Sequence, residues 1–284
     1  MRRDSLLLAQ LSDLHCGSPF FDSALADAAV KEVVGLRPDL VVVGGDLTAE
    51  GYAHEFREAE EYLAPLFDAG LSTVVIPGNH DAKNVGYLHF SDTFGPGDVT
   101  GKADRVVRLE TALGGGAPQS VTLVALDSTK PDLAEGEIGR ERYGWIRAQF
   151  EPPAELKIVA MHHHLVPVPG TGRERNTVWD AGDVLALLND CGVELVLCGH
   201  KHVPYPWFLN GMFIVNSGTV SSHRLRGYVR PSYNIIEVDD ARMRVTFRYP
   251  AQGERFAAEL DRVTARLESS AELEGMFTKT GWHA

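Results

Sequence analysis

Five short apolar runs in this chain each stop at a polar cluster, and this repeated punctuation restricts the possible folds more than any other feature. Residues 5–11 lead into Asp13-Leu14-His15, 40–43 into Gly45-Asp46, 73–76 into Gly78-Asn79-His80-Asp81, 158–161 into His162-His163-His164, and 193–198 into Gly199-His200-Lys201-His202. Short apolar, β-branched runs closed by turn residues read as buried strands. Helical spacing separates the first three, with Leu25, Ala28, Ala29 and Val33 on one face and Phe56, Ala59, Tyr62, Leu63 and Phe67 on another. A βαβαβ opening of this kind calls for a parallel sheet with right-handed crossovers. Loops at the carboxyl ends of such strands open onto one crevice, so the clusters are expected to converge.

The rest of the chain extends the pattern. Residues 84–94 read as partly helical, and the Gly-rich stretch 95–101 is expected to overhang the crevice as a lid. Strands follow at 106–110, 121–127 and 156–161, with helices at 140–150, stopped by Pro152-Pro153, and at 178–190, closed by Gly192. Beyond His202 only strand signals remain, at 205–209, 212–215, 233–238 and 243–249, and they suit a second sheet beside the first. Phe256, Leu260, Val263 and Leu267 return to helical spacing. The expected organisation is a catalytic unit over 1–250 and a C-terminal helical tail over 251–284, packed on the body or on the partner subunit of a homodimer.

Composition excludes several classes of function. A net charge of −12 repels nucleic-acid phosphates and gives no steering toward an anionic membrane, so broad nucleic-acid binding is disfavoured. No stretch approaches the roughly 20 apolar residues that cross a bilayer. The opening Met1-Arg2-Arg3 with Leu6-Leu7-Leu8 resembles a signal peptide superficially, but Gln10 and Asp13 interrupt it, and a buried first strand fits better. Cys16, Cys191 and Cys198 cannot all pair within the chain, which suits a reducing compartment, and a cytoplasmic location is expected.

The five clusters hold carboxylates, several imidazoles and an amide, the donor types that a pair of divalent cations requires. In Asp13-x-His15 and His200-x-His202 the paired residues project to the same side of an extended strand end, where one ion can be gripped by both. Cys16 follows a candidate ligand but reads as a packing residue, because oxygen and imidazole donors already suffice.

Together, Asp13-Leu14-His15, Gly45-Asp46, Gly78-Asn79-His80-Asp81, His162 and Gly199-His200-Lys201-His202 resemble the motifs of the calcineurin-like metallophosphoesterases, within them the bacterial cyclic-nucleotide and glycerophosphodiester phosphodiesterases. The resemblance implies an α/β four-layer sandwich of two mixed β-sheets flanked by helices. It implies two divalent metal ions, manganese, iron, zinc or cobalt, with Asp13, His15 and His202 on one, Asn79, His162 and His200 on the other, and Asp46 bridging. His80 then contacts the phosphate and helps the leaving oxygen, with Asp81 orienting its ring, and a hydroxide held between the metals attacks phosphorus in line. The implied substrate is a small phosphodiester such as a 3',5'-cyclic nucleotide. A broad phosphomonoesterase or a nuclease of the same fold is the alternative, and a non-catalytic metal-binding regulatory module is a third.

One departure concerns the fourth motif, which has three histidines where the related phosphodiesterases show two followed by prolines. His162, first after the strand, is the expected ligand; His163 and His164 are either supporting or substrate-facing groups, or ordinary loop histidines. A basic run in an acidic chain, residues 222–230, offers His223, Arg224, Arg226 and Arg230 as contacts to a phosphorylated substrate or nucleotide at the crevice rim, or else forms a solvated hairpin.

Overall fold

Alternation along the first strand decides the layering. In β1 (Leu6–Leu11) the side chains of Leu6 and Leu8 enter a core between two sheets, whereas Leu7, Ala9 and Leu11 enter a different core beneath helices. All six residues are buried, as expected of a strand covered on both faces. The structure is a computed structural model and describes residues 4–97, 102–114, 117–169, 171, 177–226, 229–270 and 273.

The opening follows the expected βαβαβ path: β1, α1 (Ser23–Leu36), β2 (Leu40–Val43), α2 (Ala53–Asp68), β3 (Thr73–Val75) and then α3 (Gly86–Phe94). Strands β1, β2 and β3 are parallel. Asp22 caps α1 by accepting from the amides of Ala24 and Leu25 at 3.0 and 3.2 Å, and Pro38 follows a left-handed Arg37 at the other end. The second half supplies β4 (Arg105–Thr111), β5 (Gln119–Leu126), α4 (Tyr143–Phe150), β6 (Leu156–Met161), α5 (Ala181–Asp190), β7 (Leu195–Cys198), β8 (Tyr205–Leu209) and β9 (Met212–Asn216). The strands β10 (Tyr233–Val238), β11 (Arg242–Tyr249), β12 (Gly253–Asp261) and β13 (Arg266–Ser269) close the described chain.

Two mixed sheets result, ordered β13-β12-β11-β10-β1-β2-β3 and β4-β5-β6-β7-β9-β8. They face each other across a shared core that includes Leu6, Leu8, Leu40 and Val42 from one and Leu123, Ile158, Leu195 and Phe213 from the other. Helices α1 and α2 cover the outer face of the first sheet through Ala29, Val33, Phe56 and Leu63. Helices α4 and α5 cover the second through Ile146, Phe150, Val184 and Leu188. Four layers follow, helix, sheet, sheet, helix, and each fully buried aliphatic side chain contributes about 1.5–3 kcal/mol to holding them together.

Two expectations are corrected. The strands after His202 do not form the second sheet alone: β8 and β9 join it at one edge, while β10 to β13 extend the first sheet antiparallel to β1. Among the described residues, 253–269 form strands and not the expected helix, because the spacing of Phe256, Leu260, Val263 and Leu267 is overridden by pairing across strands. Met243 faces Leu260, Val245 faces Ala258, and a bulge between Val245 and Thr246 absorbs an extra residue in β12. Val263 lies 81% exposed in the β12–β13 turn, where the Asp261 carboxylate accepts from the amides of Val263 and Thr264. Positions 271–272 and 274–284 of the expected tail and 98–101 of the expected lid lie outside the described residues.

Candidate metal centre

Every nominated metal-binding residue lies in a loop just past a parallel strand. Asp13 and His15 follow β1, Asp46 follows β2, Asn79 follows β3, His162 follows β6, and His200 and His202 follow β7. Asp13, His15 and His202 bring donor atoms within 4.8 Å of one another, as do Asp46, His162 and His200. Each group therefore draws on both sheets. The Nε2 atoms of His15 and His202 are 2.9 Å apart, with Asp13 Oδ1 3.3 Å from His202 Nε2; Asp46 Oδ2 lies 3.3 Å from His162 Nε2 and 3.8 Å from His15 Nε2. Asp46 thus touches both groups, as a bridging carboxylate must. A third cluster, His15, Asp46 and His80, meets the same distance limit.

The backbone is held in a demanding shape here. Asp13, His15, Asp46, His200 and His202 all adopt left-handed φ, between 52° and 78°. For residues other than glycine this costs about 1–3 kcal/mol each and persists only where the surroundings impose it. The surroundings do so with amide hydrogen bonds from Asp13 to the Gly45 carbonyl and from His15 to the Asp46 carbonyl, both 2.9 Å, and with Thr219 Oγ1 donating to the Asp13 carbonyl at 2.6 Å. Gly78 is required for contact, since a Cβ there would lie 2.2 Å from both the amide nitrogen and Oδ1 of Asp46.

Ring orientation is set from behind. His162 Nδ1 is 2.7 Å from the Gly44 carbonyl, and His202 Nδ1 is 2.6 Å from that of Arg224. A carbonyl can only accept, so Nδ1 carries the proton in both rings and Nε2 is left to offer its lone pair to the centre. Asp13 Oδ1, Asn79 Oδ1, His162 Nε2 and both ring nitrogens of His200 are buried with no hydrogen-bond partner among the described residues. Buried polar atoms are ordinarily satisfied. Inward-facing oxygen and imidazole donors left unpaired in this way fit divalent cations.

Electrostatics agree. Burial drives His15 down to about 3 and His200 well below the ordinary imidazole range, leaving neutral donors. At His162 burial acts the same way, but the adjacent Asp46 outweighs it and lifts the ring to about 9. Asp46 itself is held well below the usual carboxylate range: burial opposes its charge, and His162 and His80 prevail. The carboxylates thus demand positive charge at the centre.

The remaining nominated residues separate clearly. His80 is half-buried and lines the cavity; its Nδ1 lies 2.5 Å from the Ala49 carbonyl and 3.0 Å from Lys83 Nζ, contacts that anchor the ring on that side. Asp81 does not orient that ring. Its carboxylate accepts from the amides of Leu47, Thr48 and Gly78 and from Thr48 Oγ1, at 2.7–3.1 Å, and so ties the loop after β2 to the loop after β3. Burial, with the negative charge of Asp46, pushes Asp81 up to about 6 against those four donors. Asp81→Asn would set an amide N–H₂ against backbone donors, so a loss of about 2–4 kcal/mol, or a melting temperature lower by roughly 5–10 °C, is expected. An unchanged melting curve would remove the clamp role.

His163 and His164 support the centre from outside it. His163 bonds Ser128 Oγ at 2.8 Å and the Ala134 carbonyl at 3.2 Å, and His164 Nε2 bonds the Gly199 carbonyl at 2.6 Å. Neither lines the cavity, so the substrate-facing alternative fails for both. His223 also points elsewhere, toward Asp22 Oδ2 at 2.9 Å, and Arg230 stacks over Tyr249 at 4.2 Å. Arg224 and Arg226 do line the cavity, which measures about 370 Å³, together with Lys201, a residue that the sequence reading passed over inside its motif. Lys201 is drawn down to about 8, by burial first and then by the positive charge of Arg226. Cys16 is buried among core side chains, consistent with packing.

A sandwich of two mixed sheets whose strand ends present two adjoining groups of cation donors is an architecture suited to holding a pair of divalent ions. The chain belongs to the calcineurin-like phosphoesterase family, whose model matches residues 6–204. A probable cyclic nucleotide phosphodiesterase of Rhodococcus erythropolis is 26% identical over 210 residues, covering 70% of this chain and 66% of that protein. A cAMP/cGMP dual specificity phosphodiesterase of Mycobacterium tuberculosis is 27% identical over 217 residues, 70% of this chain and 63% of its own. The chain therefore spans slightly under two thirds of the length of these two relatives. The glycerophosphodiester phosphodiesterase GpdQ of Enterobacter lignolyticus is 28% identical over 208 residues, 69% of this chain and 71% of its own. Among solved structures, a dimetal phosphatase from Danio rerio superposes with a TM-score of 0.66 at 15% identity over 88% of this chain and 98% of that one. The purple acid phosphatase PPD1 of yellow lupin gives 0.59 at 14% identity over 91% and 53%. These similarities establish the fold. No helix among the described residues is long and apolar enough to cross a membrane.

Proposed function

We propose that the protein is a dinuclear metal-dependent phosphodiesterase acting on a small diester such as a 3',5'-cyclic nucleotide. The observation that carries this reading is the pair of unpaired donor groups meeting at Asp46, beneath a half-buried histidine and a cationic rim. Asp13, His15 and His202 would hold one divalent ion, Asn79, His162 and His200 the other, with Asp46 shared. Two such ions, when bound, supply Lewis-acid polarisation of the phosphoryl group and neutralise its charge. The chain's own groups do the rest. The Gly44 and Arg224 carbonyls keep His162 and His202 in the tautomer whose Nε2 faces the centre. As an imidazolium anchored through Nδ1 to the Ala49 carbonyl, His80 would give its Nε2 proton to the departing oxygen and be left as the neutral ring that keeps the Nδ1 proton. Lys201, Arg224 and Arg226 draw the anionic substrate into an otherwise acidic protein.

Relatives named as cyclic nucleotide phosphodiesterases support the diester choice, and the net charge of −12 disfavours a nuclease. Three free cysteines favour the cytoplasm as the site of action. After chelation, addition of manganese, iron, zinc or cobalt is expected to restore hydrolysis of bis(p-nitrophenyl) phosphate in preference to p-nitrophenyl phosphate. Preference for the monoester would make the protein a phosphomonoesterase. Tight metal binding with turnover of neither substrate would make it a regulatory module.

A further inference from the structure

Three cations share the mouth of the cavity, and no carboxylate among the described residues pairs with any of them. Lys201 is partly buried, Arg224 and Arg226 are exposed, and all three line the space that also exposes His15, Asp46, Asn79 and His80. Several guanidinium groups elsewhere are neutralised: Arg140, Arg142, Arg147, Arg248 and Arg262 each meet an Asp or Glu. Crowding unneutralised like charges opposes folding, and in a chain of net charge −12 counter-charges are plentiful. The lack of counter-charges around three cations crowded at one cavity mouth leaves the counter-charge to be supplied by a ligand.

The cations are also held in register with the centre. The Arg224 carbonyl is the group that fixes His202, its amide donates to Ser222 Oγ at 3.1 Å, and the neighbouring His223 amide donates to the Phe20 carbonyl at 2.9 Å. Lys201 lies between His200 and His202 in sequence. Charge counting then separates substrate classes. Two divalent ions with Asp13, Asp46 and the attacking hydroxide leave about one positive charge, which the single negative charge of a diester at the reacting phosphorus already matches. A cyclic nucleotide would leave the rim unmatched. Building on the phosphodiesterase reading, we propose that the preferred substrate is a phosphodiester bearing a second, dianionic phosphate group, which Lys201, Arg224 and Arg226 bind away from the reacting phosphorus. Guanidinium forks suit such a phosphate because they offer paired N–H donors to its oxygens.

The test compares thymidine 5'-(p-nitrophenyl phosphate) with its 3'-phosphorylated counterpart on the metal-loaded protein, since the two differ by one phosphate remote from the broken bond. A roughly 10- to 100-fold higher kcat/KM for the 3'-phosphorylated ester, carried by KM, is expected, the worth of one or two charge-assisted hydrogen bonds. That preference should shrink about tenfold in Lys201→Gln and in Arg226→Gln, and should fall with added salt. Calorimetry gives a readout independent of turnover: thymidine 3',5'-bisphosphate should bind the metal-loaded protein at least tenfold more tightly than thymidine 5'-phosphate. Equal kcat/KM with equal affinity overturns the proposal while leaving the diesterase reading intact. Turnover of neither ester, together with the same affinity difference, overturns the diesterase reading and leaves the second phosphate site standing.

Discussion

Replacing Asp46 with asparagine is expected to strip metal from both positions and abolish most turnover. Asp46 Oδ1 accepts from the His80 amide at 2.8 Å, a bond that an asparagine oxygen preserves, so the loop should keep its shape. The substituted nitrogen then takes the place of Oδ2, 3.3 Å from His162 Nε2 and 3.8 Å from His15 Nε2. Its lone pair is delocalised into the carbonyl and its hydrogens point where a cation would lie, so it cannot serve as a ligand. Losing a buried counter-charge costs about 3–5 kcal/mol, which corresponds to a fall in metal affinity of roughly 10²–10⁴-fold. Metal analysis after dialysis should find close to two ions per wild-type chain and well under one in the variant, with the metal-free melting temperatures similar. A variant that kept two tightly bound ions and normal turnover would refute the shared position of Asp46.

His80→Ala should separate catalysis from metal retention. The proposal gives His80 Nε2 to the leaving oxygen, so turnover of an alkyl diester should fall by about 10²–10⁴-fold, the usual range for a general acid. The deficit should be much smaller for a p-nitrophenyl ester, whose phenolate departs without a proton. Metal content should stay near wild type. The rival is specific: His80 meets the same donor-distance limit with His15 and Asp46 as the other two clusters do within themselves. An emptied metal site in His80→Ala would make it a ligand and leave the chain without its proposed acid.

The convergence of the centre was legible because each donor directly follows a buried apolar run, and strand ends in parallel sheets share one crevice. The same logic could not choose among His162, His163 and His164, which follow one strand in immediate succession. Their fates depend on what lies opposite: the Gly44 carbonyl for the first, Ser128 and Ala134 for the second, the Gly199 carbonyl for the third. Main-chain carbonyls carry no residue signature, so the anchoring of His80 by Ala49 was equally hidden, and Asp81 was credited with a task that the backbone performs. The tail failed for a different reason. Phe256, Leu260, Val263 and Leu267 do recur at helical spacing, but the strand is dictated by Met243 and Val245 of β11, its partners in the sheet. Lys201 was visible as a residue and invisible as a neighbour of Arg226, because 25 positions of chain separate them.

Each donor group is assembled from both sheets, and Gln10 ties those sheets together just beneath, its side-chain amide donating to the Cys198 carbonyl at 2.9 Å while its oxygen accepts from Asn234 Nδ2 at 2.9 Å. Bound cations would therefore act as rivets across a seam, and their affinity would report the alignment of the two halves. A side chain in the middle of the sandwich, such as Leu123 or Ile158, touches no substrate and bears no charge, yet it sets how the halves abut. Natural or engineered variation in that greasy interior would retune the chemistry at the rim, making metal occupancy a sensitive gauge of packing at sites that a search confined to polar residues would overlook.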